Sequence, residues 1–499
     1  MSYLMGIDLG TSSVKTVIID IDGNMKSSAQ AFYDISIPNK GYAEQDPERW
    51  WRSTVQTIQQ ALNDAHIQSQ EIKGIGFSGQ MHGMVLIDKH LEVIRPAIIW
   101  SDQRTGQEVN SIYELLGKNY IGEITLNPLS TGFQTPSLLW IKQNEPKTYE
   151  KIYKVLLPKD YIRLRMTGEL GTDVTDASAT LAFDTKHLVW SDELISKIGL
   201  DRDFYPNVNF PYDIAGEVTA ETAKETGLYK GTTVVYGGGD QPMQSVGNGI
   251  VEAGQVSLTI GTGGQVFSII SEPKYDSQLR THTFCNAVPG TWNIMGASFA
   301  AGLSLSWLNG KILSNMSYHE INELAKSVKP GSEGLLFLPY LTGERTPHMD
   351  SSARGTFLGL VLKHTRAHLI RAVMEGVVFA LRDSVDIIKS LDTKMDTFIA
   401  SGGGARSEVW MKIQANVLNQ EIYKVSQKEQ ACVGAAIIAG VGVQAYSSIQ
   451  EACQAIIQFS DKPVVPDPEA VRIYNDMYQC YKLAYQQNKE LFHRLSDMT

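Results

Sequence analysis

Asp240 is the residue whose sequence neighbours most favour chemistry. An apolar, β-prone run at 234–236 ends in three glycines, 237–239, and Asp240, Gln241 and Pro242 follow. Three glycines remove every side chain from a turn, so a ligand can approach the backbone closely, and proline suits the first turn of a helix. The pattern predicts a catalytic acid or base at the carboxyl end of a strand, with little to bury it and an ordinary pKa. The alternative is a glycine-rich turn with a solvated aspartate.

A second group of candidates lies at the amino terminus. Residues 3–9 and 14–21 are predicted to be strands, and a Gly-Thr-Ser-Ser turn joins them. Small residues, free N–H groups and hydroxyls in such a turn can hold a phosphate, although a plain hairpin is the alternative and no Walker loop is present. The candidate residues are Asp8, Gly10, Thr11, Ser12 and Lys15.

The same pattern recurs about half a chain later. Strands predicted at 255–260 and 265–270 flank Gly261-Thr262 and two further glycines. A repeated strand–turn–strand unit suggests two related domains that face each other, and the two turns could hold the phosphates of one nucleotide between them. We predict domains at 1–246 and 247–445, followed by a helical, peripheral extension at 446–499.

Further polar residues follow predicted strands and suit a sugar, which offers hydroxyls and an apolar C–H face. The strand at 74–78 ends at Gln80, Met81 and His82, and the apolar run 98–100 ends at Trp100, before Asp102. His82 could be structural instead, and Trp100 could be part of the core. Residues 172–178, which include Asp176, are predicted to form a polar loop that contacts a ligand or is solvated.

Glycines and small residues also mark the second half of the chain. Helices are predicted at 245–250, 300–308 and 368–391. A strand at 398–401 runs into Gly402, Gly403, Gly404 and Ser407, which nearly match a dinucleotide-binding fingerprint. The third glycine of that fingerprint is absent, so the sequence disfavours a dehydrogenase.

Composition excludes several classes. The chain has 499 residues, a net charge of -10 and 43% hydrophobic residues, which is typical of a globular protein and disfavours a nucleic-acid binder. No run of eighteen apolar residues predicts a membrane span, and the amino-terminal stretch is unlike a signal peptide. Four scattered cysteines fit a reducing cytoplasm and predict no zinc site.

Five motifs together resemble the FGGY family of carbohydrate kinases. They are Gly6–Thr11, Gly79–Gly83, Gly237–Asp240, Leu338–Pro347 and Ser401–Glu408. The resemblance implies an α/β, actin/hexokinase-like fold of two ribonuclease-H-like domains, with the sugar-binding side in the first domain, the nucleotide-binding side in the second and a cleft between them. It also implies ATP and Mg²⁺ as partners of a small sugar, and it makes a homodimer plausible.

The resemblance implies transfer of the γ-phosphoryl group of ATP to the 5-hydroxyl of D-xylulose. Asp240 would be the general base, with Asp8 beside Mg²⁺. The residues implied on the sugar side are Gln80, Met81, His82, Trp100, Asp102, Asp176 and Gln241. Those implied on the nucleotide side, besides the first turn, are Gly261, Thr262, Gly302, Ser306, Gly403, Gly404 and Ser407.

Two departures from the family pattern concern the sugar. Ser137 stands where many members carry lysine, and Gln241 stands where many have asparagine. Gluconate, ribulose, fuculose and glycerol therefore stay open as substrates, and gluconate would need a cation near its carboxylate, for which Arg104 is the candidate. An actin-like or chaperone-like ATPase is the alternative from another class, but the Gln80–His82 element favours a small-molecule pocket.

Overall fold

Two mixed β-sheets form the centre of the molecule, a computed structural model that describes residues 2–425 and 428–498. The strands, in chain order, are β1 (Tyr3–Leu9), β2 (Ser13–Asp20), β3 (Met25–Phe32), β4 (Glu44–Gln45), β5 (Ile72–Gly79), β6 (Val85–Ile87), β7 (Ala97–Ile98), β8 (Lys154–Leu156), β9 (Thr172–Asp173), β10 (Phe183–Asp184), β11 (Val189–Trp190), β12 (Val208–Asn209), β13 (Ile214–Glu217), β14 (Thr233–Val235), β15 (Gly238–Gly239), β16 (Gln255–Ile260), β17 (Gly264–Ile270), β18 (His282–Cys285), β19 (Trp292–Ser298), β20 (Leu336–Leu338), β21 (Thr356–Leu358), β22 (Thr397–Gly402) and β23 (Ile422–Lys424).

Helices surround the sheets. They are α1 (Pro47–Ala65), α2 (Gly106–Leu116), α3 (Lys118–Thr125), α4 (Gln134–Asn144), α5 (Pro146–Tyr149), α6 (Pro158–Thr167), α7 (Val174–Ser178), α8 (Asp192–Ile198), α9 (Ala220–Thr226), α10 (Asp240–Gly247), α11 (Gly302–Trp307), α12 (Tyr318–Ser327), α13 (Arg366–Ser390), α14 (Glu408–Leu418), α15 (Gln430–Gly442), α16 (Ile449–Ile456) and α17 (Pro468–Ser496).

The two sheets share one topology. In the first, β3, β2 and β1 are antiparallel, and β5 and β14 continue parallel to β1. In the second, β19, β17 and β16 are antiparallel, and β22 and β23 continue parallel to β16. The repeat predicted from the two Gly-Thr turns is therefore present as two domains built on the same sheet pattern.

Helix α15 joins the two halves. It packs on β1 and β5 of the first sheet, although the sequence places it in the second predicted domain. A Cβ at Gly6 would lie 1.8 Å from the carbonyl oxygen of Cys432, and a Cβ at Gly76 would lie 2.0 Å from that of Ala435. Glycine at both positions is what allows the helix to approach β1, which carries Asp8, and β5, which ends at Gly79.

Several predicted elements differ in the structure. The segment 172–178 is not a solvated loop but a short strand and helix whose residues are buried. Helix α10 begins at Asp240, five residues before the predicted start. The carboxyl-terminal region is not peripheral, because Tyr474, Tyr478 and Tyr481 of α17 are buried in the core of the second domain. The tyrosines stand among polar residues in the sequence, so the local pattern does not show that they are buried.

Candidate functional site

Asp240 stands where the backbone of the first sheet turns into α10. Gly238 and Gly239 pair with the end of β5, and the helix begins at Asp240. Gly237 has a φ of +71°, and a Cβ there would lie 2.3 Å from the carbonyl oxygen of Phe77. Only glycine fits this turn, so the sequence fixes the position of the carboxylate through its glycines.

A buried charge network lies behind this turn, and we call Lys159, Asp160, Asp173 and Asp176 the lysine cluster. Lys159 Nζ lies 2.7 Å from Asp160, 2.7 Å from Asp173 and 3.1 Å from Asp176, and all four side chains are fully buried. Burial alone lowers the pKa of Lys159, but the three carboxylates raise it above its ordinary value. The cluster therefore depends on one permanently charged lysine.

The lysine cluster is connected to the turn through Thr175. The backbone N–H of Gly239 donates to Thr175 Oγ1 over 2.9 Å, and Thr175 donates through its hydroxyl to Asp173 Oδ1 over 2.5 Å. A chain of contacts therefore runs from Lys159 through Asp173 and Thr175 to Gly239. It holds in place the backbone that immediately precedes Asp240.

The electrostatic surroundings of Asp240 differ from the prediction. Burial, and then the negative charge of Asp8, raise the pKa of Asp240 to about 7. Asp240 is half-buried, and the expectation of an ordinary pKa was wrong, because the groups that raise it, the second domain and Asp8, lie far away in sequence. A pKa near neutrality suits a group that takes up a proton during a reaction.

Asp240 lies in a cavity of about 170 Å³ between the two domains. Five sequence candidates line it: Met81, His82, Trp100, Asp240 and Gln241. Five further residues line it that the sequence analysis did not assign to a site: Phe133, His282, Phe284, Met295 and Arg345. Arg345 belongs to the Leu338–Pro347 motif, whose run of polar residues between prolines was the available signal.

Two histidines in this cavity are neutral hydrogen-bond acceptors. Burial lowers the pKa of His82 to about 4 and that of His282 to about 3. Nδ1 of His82 lies 2.9 Å from the carbonyl oxygen of Ala179, and Nδ1 of His282 lies 3.2 Å from Oδ1 of Asn127. Because each Nδ1 must carry the proton to donate to an oxygen, each Nε2 is left as an acceptor.

Three predicted sugar-side residues do not line the cavity. Asp102 is fully buried and accepts from the N–H of Ala43 and from Arg104. Asp176 belongs to the lysine cluster, and Gln80 donates to Gln45 Oε1 over 3.1 Å. Their positions suit a supporting role behind the cavity wall rather than contact with a ligand.

The candidates of the second half come together in a separate cavity of about 500 Å³. Its lining includes all seven: Gly261, Thr262, Gly302, Ser306, Gly403, Gly404 and Ser407. A Cβ at Gly302 would lie 2.3 Å from the carbonyl oxygen of Gly261, and a Cβ at Gly404 would lie 2.6 Å from Ile260. The glycines keep this wall flat enough for a planar group to lie against it.

The first turn is not part of the lining of either cavity, but it contacts a lining residue of the smaller one. Trp100 Nε1 donates to Thr11 Oγ1 over 2.8 Å, which joins the turn to the smaller cavity. Gly10 accepts a hydrogen bond from the hydroxyl of Tyr33, and Ser12 is exposed. Lys15 pairs with Glu429 over 2.7 Å, so its charge is already partnered.

Asp8 and Asp240 are the two carboxylates of the site whose oxygens could hold a divalent cation. Asp8 accepts a hydrogen bond of 2.6 Å from Ser78 Oγ, and burial raises its pKa, while the charge of Asp8 raises that of Asp240. Two carboxylates that repel each other beside a hydroxyl-rich turn match the oxygen ligands and the partial coordination that Mg²⁺ accepts from proteins. Within the described residues, no group of three or more His, Cys, Asp or Glu side chains forms a complete cage.

Family models match both halves of the chain. The N-terminal domain of the FGGY family of carbohydrate kinases matches residues 3–247, and the C-terminal domain of that family matches residues 256–443. The chain therefore belongs to the FGGY family of carbohydrate kinases, and the two-domain fold implied by the motifs is confirmed. Membership of this family implies ATP as the phosphoryl donor.

Individual relatives agree with this assignment. The chain is 34% identical to the xylulose kinase of Bacillus subtilis, over 98% of each protein. It is 30% identical to the gluconokinase of the same organism, over 88% of this chain and 87% of the relative. The crystal structure of a xyloylose kinase from Brucella ovis superposes with a TM-score of 0.90 at 35% identity, covering 98% of this chain and 100% of that one. Among the described helices, none is both long and apolar enough to span a membrane.

Proposed function

We propose that the protein transfers the γ-phosphoryl group of ATP to the 5-hydroxyl of D-xylulose. The observation that carries the proposal is the placement of Asp240 in one small cavity with Met81, His82 and Gln241. Full-length similarity to xylulose kinases supports the choice of sugar. The larger cavity, lined by Gly261, Thr262 and the Gly403–Gly404 pair, is the proposed nucleotide site.

The proposed chemistry moves one proton and one phosphoryl group. The carboxylate of Asp240 accepts the proton of the 5-hydroxyl as that oxygen forms a bond to the γ-phosphorus, and the bond between the γ-phosphorus and the β,γ-bridging oxygen breaks to leave ADP. Asp8 and Asp240 would hold Mg²⁺, which supplies positive charge beside the phosphates. The neutral Nε2 atoms of His82 and His282 accept hydrogen bonds from sugar hydroxyls and orient the sugar.

The first prediction concerns the choice of sugar. With Mg-ATP, we expect kcat/KM for D-xylulose to exceed that for D-ribulose, L-fuculose, D-gluconate and glycerol by about tenfold or more, because misplaced hydroxyls leave buried polar groups unpaired. A coupled assay of ADP release measures this, and a reaction without sugar measures wasteful hydrolysis. A different preferred sugar would make Gln241 and Ser137 the first suspects, and no response to any sugar would refute the kinase proposal.

D-gluconate is the second candidate substrate, and one observation favours it. Arg104, the cation that the sequence predicted for the carboxylate of gluconate, is already paired with protein carboxylates. It lies 2.7 Å from both Glu44 and Asp102, and 1% of its side chain is exposed. Arg345 instead brings a guanidinium to the cavity that contains Asp240.

The second prediction concerns the nucleotide cavity. Gly302→Ala places a Cβ 2.3 Å from the carbonyl oxygen of Gly261, so the turn must move into the cavity. We expect KM for ATP to rise about 10–10²-fold, as for a comparable misplacement of binding groups, while the affinity for D-xylulose is unchanged. Gly310→Ala is the control, because its Cβ would meet nothing closer than 3.5 Å. An unchanged KM for ATP in Gly302→Ala would place the nucleotide elsewhere.

A further inference from the structure

Arg345 is half-buried and lacks the carboxylate partner that other arginines of the interior have. Arg104, Arg163 and Arg371 each lie within 4 Å of a carboxylate. Within residues 2–425 and 428–498, the Arg345 guanidinium has no ion pair or side-chain hydrogen bond, and its one aromatic contact is with Phe299, at 5.0 Å from the ring centroid. Burying an unpaired cation costs free energy, and a site that binds an anion or an acceptor oxygen offsets that cost.

The neighbouring carboxylate of Glu344 is hydrogen-bonded to other groups and forms no ion pair with this guanidinium, although its charge acts on it. Glu344 accepts hydrogen bonds from Ser298 Oγ over 2.7 Å and from the backbone N–H groups of Phe299 and Arg345 over 3.1 and 2.7 Å. Its acceptors are therefore used to hold the backbone of Arg345. The arginine side chain is left free for the cavity.

The loop that carries Arg345 is fixed to β19. Thr346 N–H donates to the carbonyl oxygen of Ala297 over 3.0 Å, and the N–H of Ala297 donates back to Thr346 Oγ1 over 3.2 Å. β19 also carries Met295, which lines the same cavity. Arg345 thus reaches the cavity from a rigid element of the second domain, as a group that recognises a ligand should.

Arg345 lines the cavity together with His82 and His282, whereas Asp8 is not among the lining residues. The positive charge of Arg345 contributes to the lowered pKa values of both His82 and His282, second to burial for His282. The charge that acts on Asp240 is that of Asp8. A sugar whose reacting hydroxyl meets Asp240 therefore extends its opposite end toward Arg345.

The donors and acceptors of this part of the cavity restrict what it binds. The Nε2 atoms of His82 and His282 are acceptors, and they suit hydroxyl groups. A guanidinium only donates, so a hydroxyl that accepts from it still needs an acceptor for its own proton, whereas a ketone or carboxylate oxygen does not. We propose that Arg345 binds the acceptor-only oxygen at the end of the substrate remote from the transferred phosphoryl group, and thereby selects ketoses and aldonates over polyols.

This inference rests on the proposed function for the orientation of the sugar, and its test separates the two. Isothermal titration gives Kd for D-xylulose, D-gluconate and xylitol, which has the carbon chain of D-xylulose with a hydroxyl in place of the ketone. In the wild-type protein, we expect xylitol to bind at least about tenfold more weakly than D-xylulose, as expected for a lost hydrogen bond to a charged group. A lower limit on the Kd for xylitol is sufficient for this comparison.

In Arg345→Met, we expect the Kd values for xylitol and D-xylulose to differ by less than about threefold. Binding of D-gluconate should weaken more than binding of D-xylulose, because the carboxylate is charged. Arg345→Lys retains the charge and is expected to keep part of the preference. Arg280→Met is the matched control: Arg280 is paired with Asp276 at 2.7 Å, so the ratio of the Kd values should not change. Thermal melting checks that each variant is folded.

The outcomes are distinct. The inference is overturned if the ratio of the Kd values for xylitol and D-xylulose in Arg345→Met equals that of the wild type. If both Kd values rise equally, Arg345 acts on the phosphates or on domain closure instead. If D-xylulose is not phosphorylated but D-gluconate is, the proposed substrate fails while a selective loss of gluconate binding in Arg345→Met upholds the inference.

Discussion

Asp240→Asn is expected to fold normally and to lose about 10²–10⁴-fold in kcat, the usual contribution of a general base. The amide fills the same space in the turn after Gly239 but cannot take the proton of the attacking hydroxyl. Initial rates of ADP release with saturating Mg-ATP and D-xylulose measure the loss. Because binding of the sugar depends on the rest of the cavity, we expect Kd for D-xylulose to change much less than kcat.

Stability provides an independent readout for the same substitution. Since burial raises the pKa of Asp240 to about 7, ionising this group at pH 8 opposes folding. Asp240→Asn should therefore melt at the same or a higher temperature at pH 8 without divalent metal, which is the behaviour expected of a site that trades stability for function.

Asp192→Asn is the matched control, because Asp192 also opens a helix but its side chain is 80% exposed and lies outside both cavities. It should leave kcat unchanged. Near-normal turnover in Asp240→Asn would remove Asp240 as the base.

The sheet pattern was predictable from local sequence because each of the two hairpins carries two signals, an apolar strand pattern and a Gly-Thr turn. The strands at 3–9 and 255–260 match the structure residue for residue, and each is followed by a Gly-Thr turn. The seven nucleotide-side candidates lie together in one cavity, and their glycines and small residues at strand and helix ends are visible in sequence. What brought them to one cavity is the repeated fold, which the motifs identified as a whole.

The environment of each side chain was less predictable. Asp102 resembles a sugar ligand in sequence, but its carboxylate is occupied by Arg104 and by an N–H group 59 residues away. Arg345 follows Glu344, and in sequence the two resemble a surface ion pair. In the structure, the carboxylate of Glu344 instead accepts a hydrogen bond from the backbone N–H of Arg345. Such partners are set by tertiary contacts between segments far apart in the chain, so no local pattern contains them.

The lysine cluster carries the second large prediction, which concerns stability. Lys159→Met removes the cation that lies 2.7 Å from Asp160 and from Asp173 and leaves buried carboxylates uncompensated. Breaking a buried ion pair by removing one partner typically costs about 3–5 kcal/mol. We expect the first domain to unfold at a lower urea concentration by an equivalent amount, as measured by fluorescence or circular dichroism.

The loss should grow with pH. Burial raises the pKa of Asp176 well above its ordinary value, and removing Lys159 removes the charge that lowers it. A group whose folded pKa is raised opposes folding once the pH rises through that pKa. The difference between Lys159→Met and the wild type should therefore be larger at pH 8 than at pH 6.

Two further variants separate charge from packing. Adding Asp173→Asn to Lys159→Met removes one uncompensated charge and should recover part of the loss, whereas Lys151→Met, in which an exposed lysine is replaced, should have little effect. Because Thr175 connects Asp173 to the N–H of Gly239, both cluster variants should also lower kcat more than they raise KM. A Lys159→Met protein as stable as the wild type at both pH values would mean that the lysine cluster does not hold the turn, and that the glycines alone position Asp240.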